Sequence, residues 1–331
     1  MSQLLASSYF NPYSGLTFFG FFREMLIRLY GFINGSLPWQ EMVSDEIQMV
    51  VLMSVASSAA LVGTFLVLRK MTMLANSLSH TILLGIVVAF LFAKDGLLEN
   101  DEHHHSINIQ GMLIASFIVG ILTTVLTECL TKLTRLQEDA STGIVFTSLF
   151  ALGIVLVTLL TRNAHIGSEV VMGNVDVLQI EDCKLIILIL GINILLLLLF
   201  FKEYKITTFD SALAKALGIS TIFFNYLLMT QVSATIIGAF RAVGVLMVLA
   251  FITGPVLTAR MLTHDLKTLL WSAVGFGCLA SILGVALTRH ILSAYGVPLS
   301  TSGVVVCIIA MQFLIALTYK KLVTQIIRSG F

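Results

Sequence analysis

The sequence predicts an all-α polytopic membrane protein with about eight or nine spanning helices, and three observations predict it. The 331 residues are 57% hydrophobic and only 11% charged, whereas soluble domains carry about 25% charge. The mean hydropathy is +0.99. The apolar residues gather in runs of about 20, the length a helix needs to cross the hydrocarbon core. The formal net charge of +1 comes without a basic stripe, so the chain carries no footprint for nucleic acid.

Taken in order, residues 1–47 read as an N-terminal extension and 48–331 as the transmembrane domain. Within the extension, "LTFFGFFREMLIRLYGFI" (16–33) is aromatic and amphipathic, interrupted by Arg23 and Arg28. It predicts a helix lying in the interface among membrane lipids, with a short spanning helix as the alternative. It lacks the basic start, compact apolar core and small-residue cleavage site of a signal peptide. Apolar segments follow at about 48–68, 72–93, 109–131, 140–161, 184–201, 220–239, 242–259, 268–288 and 301–319. Only "AFRAVG" joins the sixth to the seventh, so eight full spans plus a broken or re-entrant piece also fit. Cys129, Cys183, Cys278 and Cys307 form no C-x-x-C pair and read as small buried hydrophobes.

Lys and Arg placement sets the orientation. Of the 19 such residues, twelve fall on one side of the spans, among them Arg69, Lys70, Lys132, Lys205, Lys215 and Arg260, and seven on the other. The acidic loop "KDGLLENDEHHH" (94–105) lies on the poorer side. The richer side is therefore expected in the cytoplasm, with the N-terminal segment outside.

In this frame the segment "MLANSLSHTILLGIVVAFLF" (73–92) carries two polar residues where lipid would be costly. His80 lies ten residues past Lys70, about 15 Å along a helix and close to the bilayer midplane. Asn76 and His80 are four apart and share a helix face, with Ser77 and Ser79 beside it. An intramembrane ionisable residue is a functional candidate. The imidazole is a transition-metal ligand and the carboxamide adds a hard oxygen. The competing reading is an interhelical hydrogen bond that only joins two spans. Glu128, the one acid inside a span, reads as a structural group near the cytoplasmic end or as part of the pathway. "NDEHHHS" (100–106) reads as a polar surface loop or a weak metal-collecting segment at the entrance. His165, His264 and His290 lie near span ends, where an interfacial role is expected.

On the cytoplasmic side, "YKITTFDSALAKALGIS" (204–220) holds a short helix in outline. Asp210 caps its start and Gly218 ends it. Leu213, Ala214 and Leu217 give it an apolar surface that needs covering, by a partner protein or by the membrane. Pro255, in the seventh segment, frees a backbone carbonyl and marks a possible hinge or a packing kink. The Walker A pattern G-x-x-x-x-G-K-[ST] is absent, so ATP hydrolysis is not expected in this chain.

Four stretches in chain order resemble one family. These are "VGTFLVLRKMTMLANSLSHTILLG" (62–85), "EDASTGIVFTSLFALGIVL" (138–156), "TTFDSALAKALGIS" (207–220) and "VGVLMVLAFITGPVLTARML" (243–262). They are similar to signatures of the permease subunits of metal-uptake ABC transporters, the manganese/zinc/iron branch. The resemblance implies an ABC importer permease-like bundle in the bacterial cytoplasmic (inner) membrane. It implies cytoplasmic ATP-binding subunits, an extracytoplasmic metal-binding protein and a second permease copy or a homologous permease. It implies no permanently bound cofactor, with Mn²⁺, Zn²⁺ or Fe²⁺ as the transported substrate. It makes 207–220 the coupling helix that docks on the ATPase, with Phe209, Asp210, Leu213, Ala214, Leu217 and Gly218 in the contact. It places His80 on the metal pathway. The family's Asp stands at Asn76 here, which removes a charge, and the family's Pro stands at Leu84.

Two other classes fit the sequence less well. A secondary, proton- or ion-coupled transporter is self-sufficient and usually carries several intramembrane acids, and only Glu128 is present. An intramembrane enzyme needs a nucleophile–base pair or a motif such as H-E-x-x-H within a span, and neither occurs.

Overall fold

A computed structural model describes residues 11–38, 41–94, 109–134, 136–161, 175, 178 and 180–329. Among them are twelve helices. They are α1 (Phe18–Ile33), α2 (Ser44–Leu68), α3 (Thr72–Lys94), α4 (Ile109–Thr134), α5 (Glu138–Thr161) and α6 (Ile180–Leu199). There follow α7 (Phe201–Phe209), α8 (Ser211–Ala216), α9 (Thr221–Val243), α10 (Val245–Leu262), α11 (Leu266–Tyr295) and α12 (Thr301–Ser329). Eight helices among the described residues are long and apolar enough to cross a membrane. α3 adds a continuous helix of 23 residues, about 35 Å long at the usual rise. All nine apolar segments thus lie on long helices.

The join between the sixth and seventh segments is a single residue. Gly244 sits at φ 79° and ψ 161°, a region essentially closed to residues with a Cβ. α9 ends there, and α10 begins one residue later. Pro255 stays inside α10 without ending it. It has no N–H for the carbonyl four residues back, and the Thr258 hydroxyl donates to the Gly254 carbonyl at 2.9 Å. At its far end α12 runs ten residues past the expected 319. Hydropathy stops at Lys320 and Lys321, but lysine is a good helix former, so the helix outlasts the apolar run.

α2 is the axis of the bundle. It packs on α6, α9, α10 and α11, and 72% of its apolar window is buried, against 22% for α6 and for α12. A helix that is apolar all round belongs in such a place. Small residues let the backbones close in. A Cβ on Gly63 would stand 2.2 Å from the Ile252 carbonyl oxygen of α10. Polar side chains join the helices where backbone contact does not. Asn193 of α6 donates to Ser58 of α2 and to Thr235 of α9, both at 2.7 Å. α3, α4 and α5 form a second packed group, which α9 ties to the first.

The cysteine expectation needs correction. Cys183 is buried, but Cys129 and Cys307 are exposed and Cys278 is half-buried. α4 and α12 are outer helices, so an apolar run there faces outward from the bundle, not into a core.

Candidate translocation and coupling sites

α3 shows two faces. Leu74, Ala75, Ser77, Leu78 and Ser79 are buried, whereas Met73 is exposed and Asn76 and His80 are half-buried. Asn76 and His80 therefore lie on a shared, half-buried face, as expected. The ring of His80 packs beside two aromatics of α5, 5.3 Å from Phe146 and 5.5 Å from Phe150 between centroids. Phe146 and Phe150 stack at 5.8 Å. The three rings form one aromatic cluster that joins α3 to α5. Among the described residues, no group of three His, Cys, Asp or Glu side chains is placed to hold a metal. His80 and Asn76 supply one nitrogen and one oxygen, an incomplete set for any of the expected ions. The 100–106 loop and His165 lie outside the described residues.

The cation-rich end carries the short helix expected around 207–220, but in two pieces. α7 continues from α6 to Phe209, and Asp210, in an extended conformation, breaks the chain before α8. The Asp210 carboxylate accepts from the N–H groups of Ala212 at 3.0 Å and Leu213 at 2.9 Å. Gly218, at φ 77°, ends the turn, with its N–H on the Lys215 carbonyl and that of Ile219 on Ala214. This is a Schellman motif. Ala214 is buried, while Phe209 (61%), Leu213 (48%) and Leu217 (59%) are exposed. Leu213 and Leu217 are thus exposed apolar side chains on a doubly capped element, and Phe209 is exposed at the end of α7 just before it.

Next to it, Arg69 at the end of α2 reaches across to α7 and α9. Its Nη2 donates to Thr207 Oγ1 at 2.8 Å, its Nε to Thr208 Oγ1 at 3.1 Å and its Nη1 to Asn225 Oδ1 at 3.2 Å. A cavity of about 200 Å³ adjoins, lined by Met71, Leu74, Glu128, Asp139, Asn225 and Met229 among others. Glu128 is only 12% exposed and pairs with Lys132 at 2.6 Å, a helical i, i+4 ion pair. Leu74 faces this cavity, and Asn76 and His80 occupy the other side of α3. Glu128 is therefore not brought to the His80 face.

At the opposite end, the N-terminal segment is bound into the bundle. Tyr13 donates its hydroxyl to Glu46 at 2.9 Å, and Arg28 of α1 pairs with the same carboxylate at 2.5 Å. Asn11 donates to Asp45 at 2.9 Å, and Arg289 of α11 approaches Asp45 to 3.1 Å. Asp45 and Glu46 are both 6% exposed, so two buried carboxylates each have a guanidinium partner, as burial requires. Burial and the Glu46 charge push the Tyr13 hydroxyl well above the usual tyrosine range. His290 packs edge-on to Phe18 at 6.2 Å, an ordinary contact at a span end. Outward from α1, Phe19, Leu26, Ile27 and Ile33 are exposed.

Sequence reasoning missed Arg69, Thr207, Thr208 and Asn225 as a unit. Arg69 counted only as a flanking cation, and its three acceptors lie up to 156 residues away. It also missed Asn193, whose polar signal inside a Leu-rich run was readable but not singled out.

Nine long apolar helices among the described residues, a capped short helix at the cation-rich end and a histidine within one of the apolar helices are the features of a transport permease. The sequence pattern of the ABC 3 transport family matches residues 41–320, and the chain belongs to that family. It is 38% identical over 304 residues to a "Probable metal transport system membrane protein" of Chlamydia muridarum, covering 92% of this chain and 93% of that one. It is 35% identical over 245 residues to the "Manganese transport system membrane protein MntD" of Bacillus subtilis, covering 70% and 78%. The fold matches "PsaBC from Streptococcus pneumoniae in complex with Fab" with a TM-score of 0.68 and 26% identity, over 87% of this chain and 95% of that chain. The chain is a multi-pass membrane permease of a metal-uptake ABC transporter family.

Proposed function

We propose that this chain is the membrane-spanning half of an ATP-driven importer of a divalent transition metal, Mn²⁺, Zn²⁺ or Fe²⁺, in the bacterial inner membrane. Separate cytoplasmic ATP-binding subunits dock on Phe209, Asp210, Leu213, Ala214, Leu217 and Gly218. An extracytoplasmic metal-binding protein delivers the ion, and no cofactor is held permanently. The observation that carries the reading is the exposed apolar group Phe209, Leu213 and Leu217 on and beside a capped helix, in a family of transport subunits and in a chain with no phosphate-binding loop of its own. Such a group is stable in water only when something covers it.

The ion is expected to pass the half-buried Asn76–His80 face of α3, where His80 offers a nitrogen and Asn76 an oxygen. Mixed N/O donors suit manganese and iron, and zinc as well. A second permease, identical or homologous, placed against this face completes the donor set. A site of few ligands without the family's Asp charge holds the ion weakly, which conduction needs. ATP-driven closure of the docked subunits moves the 209–218 elbow and rocks the helices in alternating access, with Pro255 as a hinge in α10. A proton-coupled carrier is less well supported, because Glu128 is held in an ion pair with Lys132.

The test is uptake of Mn²⁺, Zn²⁺ and Fe²⁺ into vesicles holding the permease with its ATP-binding subunit and binding protein. His80→Ala is expected to lower uptake of the native ion at least tenfold while the complex still assembles. Unchanged uptake makes His80 a packing residue and moves the pathway to another face.

A further inference from the structure

We propose that Arg69 is the positioning residue that transmits movement of the 209–218 elbow into the central helix α2. The inference rests on the reading of that elbow as the ATPase contact. Arg69 is the C-terminal cap of α2, and its guanidinium is half-buried. Each of its three nitrogens meets a different acceptor, Thr207 and Thr208 on α7 and Asn225 on α9. Thr207 and Thr208 immediately precede Phe209 and Asp210, so the force path from the docking residues to the guanidinium is two residues long. Beyond Arg69 the path enters the helix that touches α6, α9, α10 and α11. Displacing the end of α2 therefore displaces most of the bundle.

Three features suit this end for the task. The turn behind Arg69 is stiff. Lys70 is held at φ 62°, with its N–H on the Val67 carbonyl and that of Met71 on Leu66. A second contact runs in parallel, since Tyr204 of α7 lies 5.3 Å from Phe65 of α2 between ring centroids. The cavity lined by Met71 and Asn225 gives α3 and α9 room to shift where a close-packed interior resists. The planar fork sets the geometry of three bonds at once, which a lysine ammonium on a flexible stem does not reproduce.

The experiment reconstitutes the complete complex in proteoliposomes and reads Mn²⁺ moved per ATP hydrolysed, with Zn²⁺ and Fe²⁺ in parallel. Wild type is compared with Arg69→Met, Arg69→Lys and the double variant Thr207→Val with Thr208→Val. Arg69→Met is expected to lower the ion-to-ATP ratio at least fivefold, with ATP-binding subunits still co-purifying and hydrolysis within twofold of wild type. Arg69→Lys recovers less than half of the ratio. The double threonine variant shifts it in the same direction, and it decides the matter by the same ratio if Arg69→Met fails to assemble. An unchanged ratio, or uptake and hydrolysis falling together at constant ratio, overturns the proposal and leaves Arg69 a structural cap. A wild-type complex that moves none of the three ions on ATP refutes the transporter reading beneath it.

Discussion

Lys70 occupies a left-handed conformation that costs a residue with a Cβ roughly 1–2 kcal/mol. The α2–α3 turn tolerates this because its Schellman hydrogen bonds fix the backbone. Lys70→Gly is expected to stabilise the protein by about 1 kcal/mol, read as a raised melting temperature in detergent. A lowered melting temperature means that the lysine side chain contributes more than its backbone costs. At the same scale, His80 and Asn76 were legible from spacing alone, because two polar groups four apart in an apolar run must share a face. The packing of His80 against Phe146 and Phe150 was not legible, since those residues are 66 and 70 positions further along the chain and no local pattern pairs them.

Among the elements, α8 has six residues and cannot persist as a helix by propensity. Its Asp210 and Gly218 caps hold it, and Leu213 and Leu217 face outward. Replacing both Phe209 and Asp210 with Ala is expected to remove most co-purifying ATP-binding subunit. Undiminished assembly refutes the docking assignment. Here the sequence carried the caps and the apolar spacing in full, since both are local. It carried the N-terminal element less fully. α1 was expected at the interface, and its exposed Phe19, Leu26, Ile27 and Ile33 suit that place, but its anchoring to Asp45 and Glu46 was not foreseen. That anchor has a pH dependence. Tyr13 has its folded-state pKa raised, by burial first and then by Glu46. Its contribution is therefore fully present below the unfolded value of about 10 and lost as pH rises above it. Protease cutting within 11–33 is expected to increase above pH 10 in wild type. Tyr13→Phe is expected to blunt that increase, and an equal increase in both forms assigns it to other groups.

For the whole molecule, the close approach of α2 and α10 at Gly63 is the packing decision with the least slack. A methyl group there meets a backbone oxygen at 2.2 Å, and two helices must separate to admit it. Gly63→Ala is expected to destabilise by about 1–3 kcal/mol, seen as a lower melting temperature or loss of the folded protein. A neutral effect means that α2 and α10 can separate freely. The sequence by itself determined the class of molecule, the order of the apolar segments, the caps of the short cytoplasmic helix and the polar pair on α3. Each of these follows from composition, from period or from chemistry within a few residues. Only the tertiary structure decided that α2 is the axis and that Arg69 joins α2, α7 and α9. It alone decided that Glu128 faces a cavity away from His80 and that two of the cysteines point outward. In a chain that is apolar nearly everywhere, hydropathy does not distinguish a lipid-facing side from a buried one. Which side is buried is settled by small residues and buried polar contacts between helices distant in sequence, and these form only when the bundle is assembled.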